Sequence, residues 1–168
     1  MALDAFVVIM KIPSVFRRLF AEGAFNQAFI PVLSEYKEGD KSKVKDLINN
    51  TFGVLTTALL LVSTLALLFA PFFVMIFAPG FYAEPLKKEL AIDILQITFP
   101  YLLFVSLVAF SGSILNSYQK FSLPALTPLF YNLSLIVAAI WFAPNLEMPI
   151  YAIAWGVFVA GIIQVIIQ

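Results

Sequence analysis

The sequence contains no cysteine and no histidine. The first absence removes disulfide frameworks and thiol nucleophiles, and the second removes the commonest general base. Together they take away most zinc and transition-metal ligands, so neither a metal centre nor a cofactor is expected. A Ser–His–Asp triad or a Cys–His pair is impossible, and no glycine-rich phosphate loop is present. Charge is scarce too, at 12% of 168 residues, against about a quarter in a soluble domain. Ten Lys and Arg balance ten Asp and Glu, which leaves no basic footprint for nucleic acid. The carboxylates do not cooperate: Asp4 and Glu22 fall about 27 Å apart along a helix, beyond the roughly 5–10 Å of paired catalytic acids. No enzymatic activity is expected. A basic region followed by a short apolar core is missing at the N-terminus, so no signal peptide is read there.

What is present is apolar: 62% of the residues are hydrophobic, which marks an integral membrane protein. Leu47 to Ala83 carries no charge at all and gives a full span, with Pro71 bending its last third. Pro79, Gly80 and Pro85 punctuate the loop that follows. A second span runs from about Ile92 to Tyr118 with Pro100 inside it, and its Ser111–Gly112–Ser113 patch suits close helix packing. Pro124 opens a further helix reaching about Phe142. The last span starts near Ile150 and is still apolar at Gln168. The polar run Ser34–Asp46 reads as a loop into an amphipathic turn. With Ser117–Leu123 it carries Lys37, Lys41, Lys43, Lys45 and Lys120, so this side is expected to be cytoplasmic. The fold class is all-α, a polytopic transmembrane bundle of about five spans.

The remaining span is the unusual one. Asp4 to Pro31, DAFVVIMKIPSVFRRLFAEGAFNQAFIP, reads as part of one helix from about Leu3 to Ser34, with Pro13 a candidate bend. At about 100° per residue, Asp4, Lys11, Arg18, Glu22 and Asn26 fall within an arc of about 80°, and Arg17 lies to one side of it. Arg17 and Arg18 sit near the middle, on the order of 20 Å from either end. Each arginine at the bilayer centre costs roughly 2.5–3.5 kcal/mol unless it meets water, a carboxylate or an anionic ligand. Several readings stay open. The arginines line a polar cavity that accepts an anion, since a guanidinium hydrogen-bonds phosphate in a bidentate fashion. Alternatively Arg18 pairs with Glu22 one turn away, or the segment is interfacial and its cations snorkel to the headgroups. Asp4 is a helix cap or a gating partner for a cation from elsewhere. Lys11 adds a third positive charge to the stripe.

The run DAFVVIMKIPSVFRRLFAEGAFNQAFIPVLSEYK resembles the second helix of the MurJ/MviN family, the lipid II flippases of the bacterial inner membrane. The likeness continues through APGFY, LQITFPYLLFVSL, ILNSYQKFSLPALTPLFYN and AIAWGVFVAGIIQ, and so covers essentially the whole chain. It implies a member of the multidrug/oligosaccharidyl-lipid/polysaccharide exporter superfamily, with two pseudo-symmetric lobes around a cation-lined cavity and fourteen helices. On this likeness the chain corresponds to helices two to six. Residues 1–168 are then a partial N-terminal lobe, with the first helix and the whole second lobe absent, and Met1 an internal methionine. The implied cargo is undecaprenyl-diphosphate-linked lipid II, moved from the cytoplasmic to the outer leaflet by alternating access. Arg17 matches the family's essential cavity arginine and Asp4 its essential acidic residue; Arg18, Glu22 and Gly23 match the motif without a separate role. The expected partners are lipid II, membrane lipids and the missing helices of a full-length transporter. The competing readings are another lipid-linked oligosaccharide or drug exporter, and a non-transporting scaffold. A cation exporter should line its cavity with acidic groups, and a scaffold should tolerate Arg17→Lys.

Overall fold

The computed structural model describes residues 2–18, 24–39 and 41–168. Within these, the side chains at positions 2, 16, 17, 24–27 and 41 fall outside the description. The described residues are helical, without a strand. In chain order the helices are α1 (Ala2–Ile9), α2 (Lys11–Arg17), α3 (Ala24–Glu38), α4 (Val44–Leu68), α5 (Ala70–Phe77), α6 (Pro85–Thr98), α7 (Tyr101–Ser117), α8 (Ser122–Val137) and α9 (Ile150–Ile167). Among the described residues four uninterrupted or nearly uninterrupted stretches are long and apolar enough to cross a membrane: Val44–Leu68, Pro85–Ser117, Ser122–Asn145 and Ile150–Ile167.

Prolines set most of the breaks. Pro13 has no N–H to give Ile9, and the helical path tightens at Met10 into the junction between α1 and α2. The expected bend at Pro71 falls two residues earlier. Leu68 ends α4, Phe69 leaves helical geometry at φ −104° and ψ 22°, and Pro71 opens α5, where a missing N–H costs nothing. The exposed end of α4 is tied to the next span, because Gln96 Nε2 donates to the Leu67 carbonyl at 3.3 Å. Pro100 separates α6 from α7 in the same way, and the apolar span around it begins earlier than expected, at Pro85.

The loop expected over Ser34–Asp46 is mostly helix. Pro31 lies inside α3, which runs on to Glu38. Glu35, Lys37 and Glu38 are good helix formers, and Lys37 in the last turn complements the negative end of the helix. The Gly39 N–H closes that turn on the Glu35 carbonyl at 2.9 Å.

The core lies where α1, α4, α5, α6 and α7 meet, around Ile9, Leu59, Leu95 and Phe99. Phe29 of α3 and Phe110 of α7 bring their rings to 5.0 Å, with Phe52 of α4 adjacent at 6.2 Å. Between apolar helices in lipid no water is released by contact, so association depends on close packing and on interhelical hydrogen bonds. Helix α9 supplies both. Gly156 faces Ala138 so closely that an added Cβ would stand 2.8 Å from the alanine methyl. At Gly161 a Cβ would stand 2.8 Å from Tyr101 Cδ2. By contrast, the Ser111–Gly112–Ser113 patch makes ordinary contact, since a Cβ at Gly112 would meet Pro124 at 3.7 Å. The tight contact with Ala138 belongs to the buried Ala152–Gly156–Ala160 ridge of α9, a four-residue spacing of small side chains.

Candidate functional site

Helices α1 and α2 present two opposed faces. Ala5, Ile9, Ile12 and Pro13 are buried, with α1 packed against α6 and α9 and α2 against α7. The opposite face carries Asp4, Lys11 and Arg18, seven residues apart, and all three are exposed. Val7 and Val15 lie between them at 53% and 47% exposure. A seven-residue step advances a helix by nearly two full turns, which is why these three charges stack on one side. Asp4 stands in the first turn of α1, where a carboxylate is favoured by the helix dipole. Lys11 opens α2. Arg18 caps the C-terminus of α2, its N–H shared between the carbonyls of Ser14 and Val15, and a cation is favoured at that end. Arg17 is the last residue of α2, but its side chain lies outside the described residues, as does the whole of Glu22.

Beside this stripe is a cleft of about 430 Å³ between α2, α7, α8 and α9. Its wall includes Ser14, Tyr101, Thr127, Tyr131, Asn132 and Gln164, and none of the described lining residues is charged. Ser14 donates to the Met10 carbonyl at 2.7 Å. The Tyr101 and Tyr131 rings meet at 5.7 Å. Gln164, only 4% exposed, donates through Nε2 to the Thr127 carbonyl at 3.0 Å, while its Oε1 has no partner. Gln168, one turn on, donates to Thr127 Oγ1 at 2.8 Å. These residues do not stand out as a site in the sequence, although a glutamine within IIQVIIQ and an asparagine within a greasy span seldom face lipid. A second hollow, about 400 Å³ between α8 and α9, is walled mainly by apolar side chains, among them Leu133, Val137, Trp155 and Val159, with Ser134 beside them.

The two loops expected on one side of the bundle meet: Lys37 of α3 donates to the carbonyl of Ser117 at the end of α7. At the other end, Lys87 pairs with Glu84 at 2.6 Å, and the Tyr151 hydroxyl donates to Asp93 Oδ2 at 2.7 Å. Among the described residues no cluster of acidic groups is placed to hold a metal ion.

The sequence profile of the family described as lipid II flippase MurJ matches residues 1–168, the entire chain. The chain belongs to the MurJ family. It is 40% identical over 166 residues to a lipid II flippase MurJ of Burkholderia cenocepacia, covering 98% of this chain and 32% of that protein. A probable lipid II flippase MurJ of Vibrio cholerae is 42% identical over 173 residues, covering 98% of this chain and 33% of the relative. Among solved structures, a lipid II flippase MurJ in an inward closed conformation superposes with a TM-score of 0.76 at 27% identity, over 99% of this chain and 35% of that one. The chain therefore spans about a third of the length of the curated relatives it matches. MurJ membership agrees with the all-α transmembrane bundle.

Proposed function

We propose that this chain supplies part of a transport lobe of a lipid II flippase in the bacterial inner membrane. The lobe moves the undecaprenyl-diphosphate-linked peptidoglycan precursor from the cytoplasmic to the outer leaflet by alternating access. Lys11, Arg17 and Arg18 hold the diphosphate, and Asp4 and Glu22 act as gating or ion-pair partners of those cations. The observation that carries the reading is the exposed stripe Asp4–Lys11–Arg18 on a mostly apolar helical segment, opposite a face buried in the bundle. A stripe of this kind in a bilayer needs water or a counter-ion, and a diphosphate supplies charge that guanidinium groups recognise bidentately. The match along the whole chain to a family whose members are named lipid II flippases supports the cargo.

The test is complementation in a bacterium depleted of its own flippase, using a full-length family member that carries this segment. Arg17→Ala is expected to abolish growth and to accumulate lipid II. Arg17→Lys is expected to rescue poorly, because an ammonium keeps the charge and loses the planar fork. Normal growth of the Arg17→Ala strain would exclude the cargo-binding role. Rescue by Arg17→Lys equal to the parent would favour a scaffold in which only charge pairing matters.

A further inference from the structure

The seam between α8 and α9 lies on the far side of α8 from the cleft at α2. Phe130, Leu133 and Val137 line the seam, roughly 140° around the helix from Thr127, Tyr131 and Asn132 of the cleft. Every residue of α8 and α9 is described. The floor is bare because Ala138, Ala152 and Gly156 let the two backbones approach. Leu133, Trp155 and Val159 stand up on either side, each about half exposed. Ser134 is the polar side chain on the wall, and its hydroxyl already donates to the Phe130 carbonyl at 2.9 Å. Water would find too few partners there, and an empty trough would forfeit the dispersion contacts of its lining. The lining runs from Phe130 to Leu146 on α8 and its exit turn, and from Ala152 to Ile163 on α9, about 16–24 Å at 1.5 Å per residue. Over that length about 400 Å³ gives a mean cross-section of about 20 Å². A helix with its side chains needs roughly 80–110 Å². The seam therefore takes one flexible hydrocarbon chain and no helix.

Hydrocarbon moving from the surrounding lipid tails into a hydrocarbon-lined seam gains little, so the chain alone selects no lipid. Selection falls to the headgroup, at the end where Phe142 and Leu146 open the seam. The next residue is Glu147, which is exposed, and the turn Ala143–Pro149 carries no lysine or arginine. Asp93 and Tyr151 meet at the same end of the bundle. On α6, which packs against α9, Lys87 is paired with Glu84 and Lys88 stands over the Tyr82 ring, 4.5 Å from its centre. This end repels an anionic headgroup and attracts an ammonium with free N–H donors. We propose that phosphatidylethanolamine seats one acyl chain in the α8–α9 seam with its ammonium on Glu147. The proposal is independent of the flippase reading, since it uses no residue of the cation stripe.

Trp155 on the wall is a built-in probe, and Trp141→Phe leaves it the sole tryptophan. The test is quenching of Trp155 fluorescence in phosphatidylcholine vesicles doped with acyl-brominated phosphatidylethanolamine or phosphatidylglycerol. Quenching by the ethanolamine lipid is expected to saturate, with its midpoint at about threefold lower mole fraction than for the glycerol lipid. Glu147→Lys should reverse that order. Leu133→Phe combined with Val159→Phe, both at exposed positions, should fill the seam and turn saturable quenching into a linear rise. In a full-length family member carrying this segment, native mass spectrometry should find one phosphatidylethanolamine retained by the parent and lost from the filled variant. Equal midpoints for the two lipids, or an order unchanged by Glu147→Lys, would overturn the proposal. So would undecaprenyl phosphate relieving the quenching at the mole fraction of phosphatidylethanolamine, which would give the seam to the cargo tail. No retained lipid in the full-length parent would mean that another helix or a second copy covers the seam, and would overturn it as well.

Discussion

Lys37, in the last turn of α3, holds its Nζ 4.1 Å from the centre of the Tyr118 ring. The same ammonium donates to the Ser117 carbonyl, one of the orphan acceptors at the end of α7. A cation at a helix C-terminus, over an aromatic face, collects a hydrogen bond, a dipole interaction and a cation–π contact at one point. Lys37→Met keeps much of the stem and removes all three. It is expected to lower stability by about 1–2 kcal/mol, read as a drop in the thermal unfolding midpoint in detergent. Lys45→Met, on the exposed side of α4, should leave the midpoint within the equivalent of about 0.5 kcal/mol.

The end of α7 also carries a strained residue. Lys120 donates to the Leu115 carbonyl at 2.9 Å and Gln119 to the Asn116 carbonyl at 3.0 Å, the paired bonds of a Schellman cap. That cap requires a left-handed residue at position 119, where φ is +60°. Glutamine occupies the place that glycine fills without steric cost. Gln119→Gly is therefore expected to stabilise the chain by up to about 1 kcal/mol, and Gln119→Val to destabilise it by at least as much. Thermal unfolding of the two variants side by side checks the sign as well as the size.

Two glycines make a matched pair for helix packing. Gly161 approaches α7 so closely that a Cβ would meet Tyr101 at 2.8 Å and Phe104 Cβ at 2.9 Å. Gly53, in α4, has nothing within 4 Å. Gly161→Ala should cost about 1–3 kcal/mol by forcing α9 away from α7. Gly53→Ala should be neutral or stabilising by up to about 1 kcal/mol, because it only removes backbone freedom within a helix. Equal effects of the two substitutions would mean that the α7–α9 crossing is looser than described.

The spans were legible because long uncharged runs such as Leu47–Ala83 have few alternatives in a bilayer. Break positions were less so: a proline forbids one hydrogen bond, but neighbouring residues decide where the turn is taken, and Phe69 took the one read at Pro71. Ser34–Glu38 looked like a loop because it is polar, although Glu and Lys extend a helix well once it has begun. The stacking of Asp4, Lys11 and Arg18 followed from helical periodicity alone. Gln164 did not stand out in the same way. A lone glutamine acquires meaning only when Thr127 and the two tyrosines of other helices are brought beside it, and periodicity within one span carries no information about that. The small-residue ridge Ala152–Gly156–Ala160 was readable in principle, yet Ser111–Gly112–Ser113 gave a stronger local signal and a weaker contact.

Arg18 is exposed on the bundle surface, and a bundle surface within a membrane meets either lipid tails or an aqueous cavity. The two environments predict opposite results for Arg18→Leu. Against hydrocarbon, removing the charge should favour insertion and folding by roughly 2.5–3.5 kcal/mol. Against water, leucine gains little, and stability should stay within about 0.5 kcal/mol. The flippase reading requires the second result, together with weaker binding of undecaprenyl diphosphate to the variant. Measuring both quantities on the same preparation separates the cases: a large gain in stability with no change in binding would place Arg18 in the lipid and remove it from the cargo site.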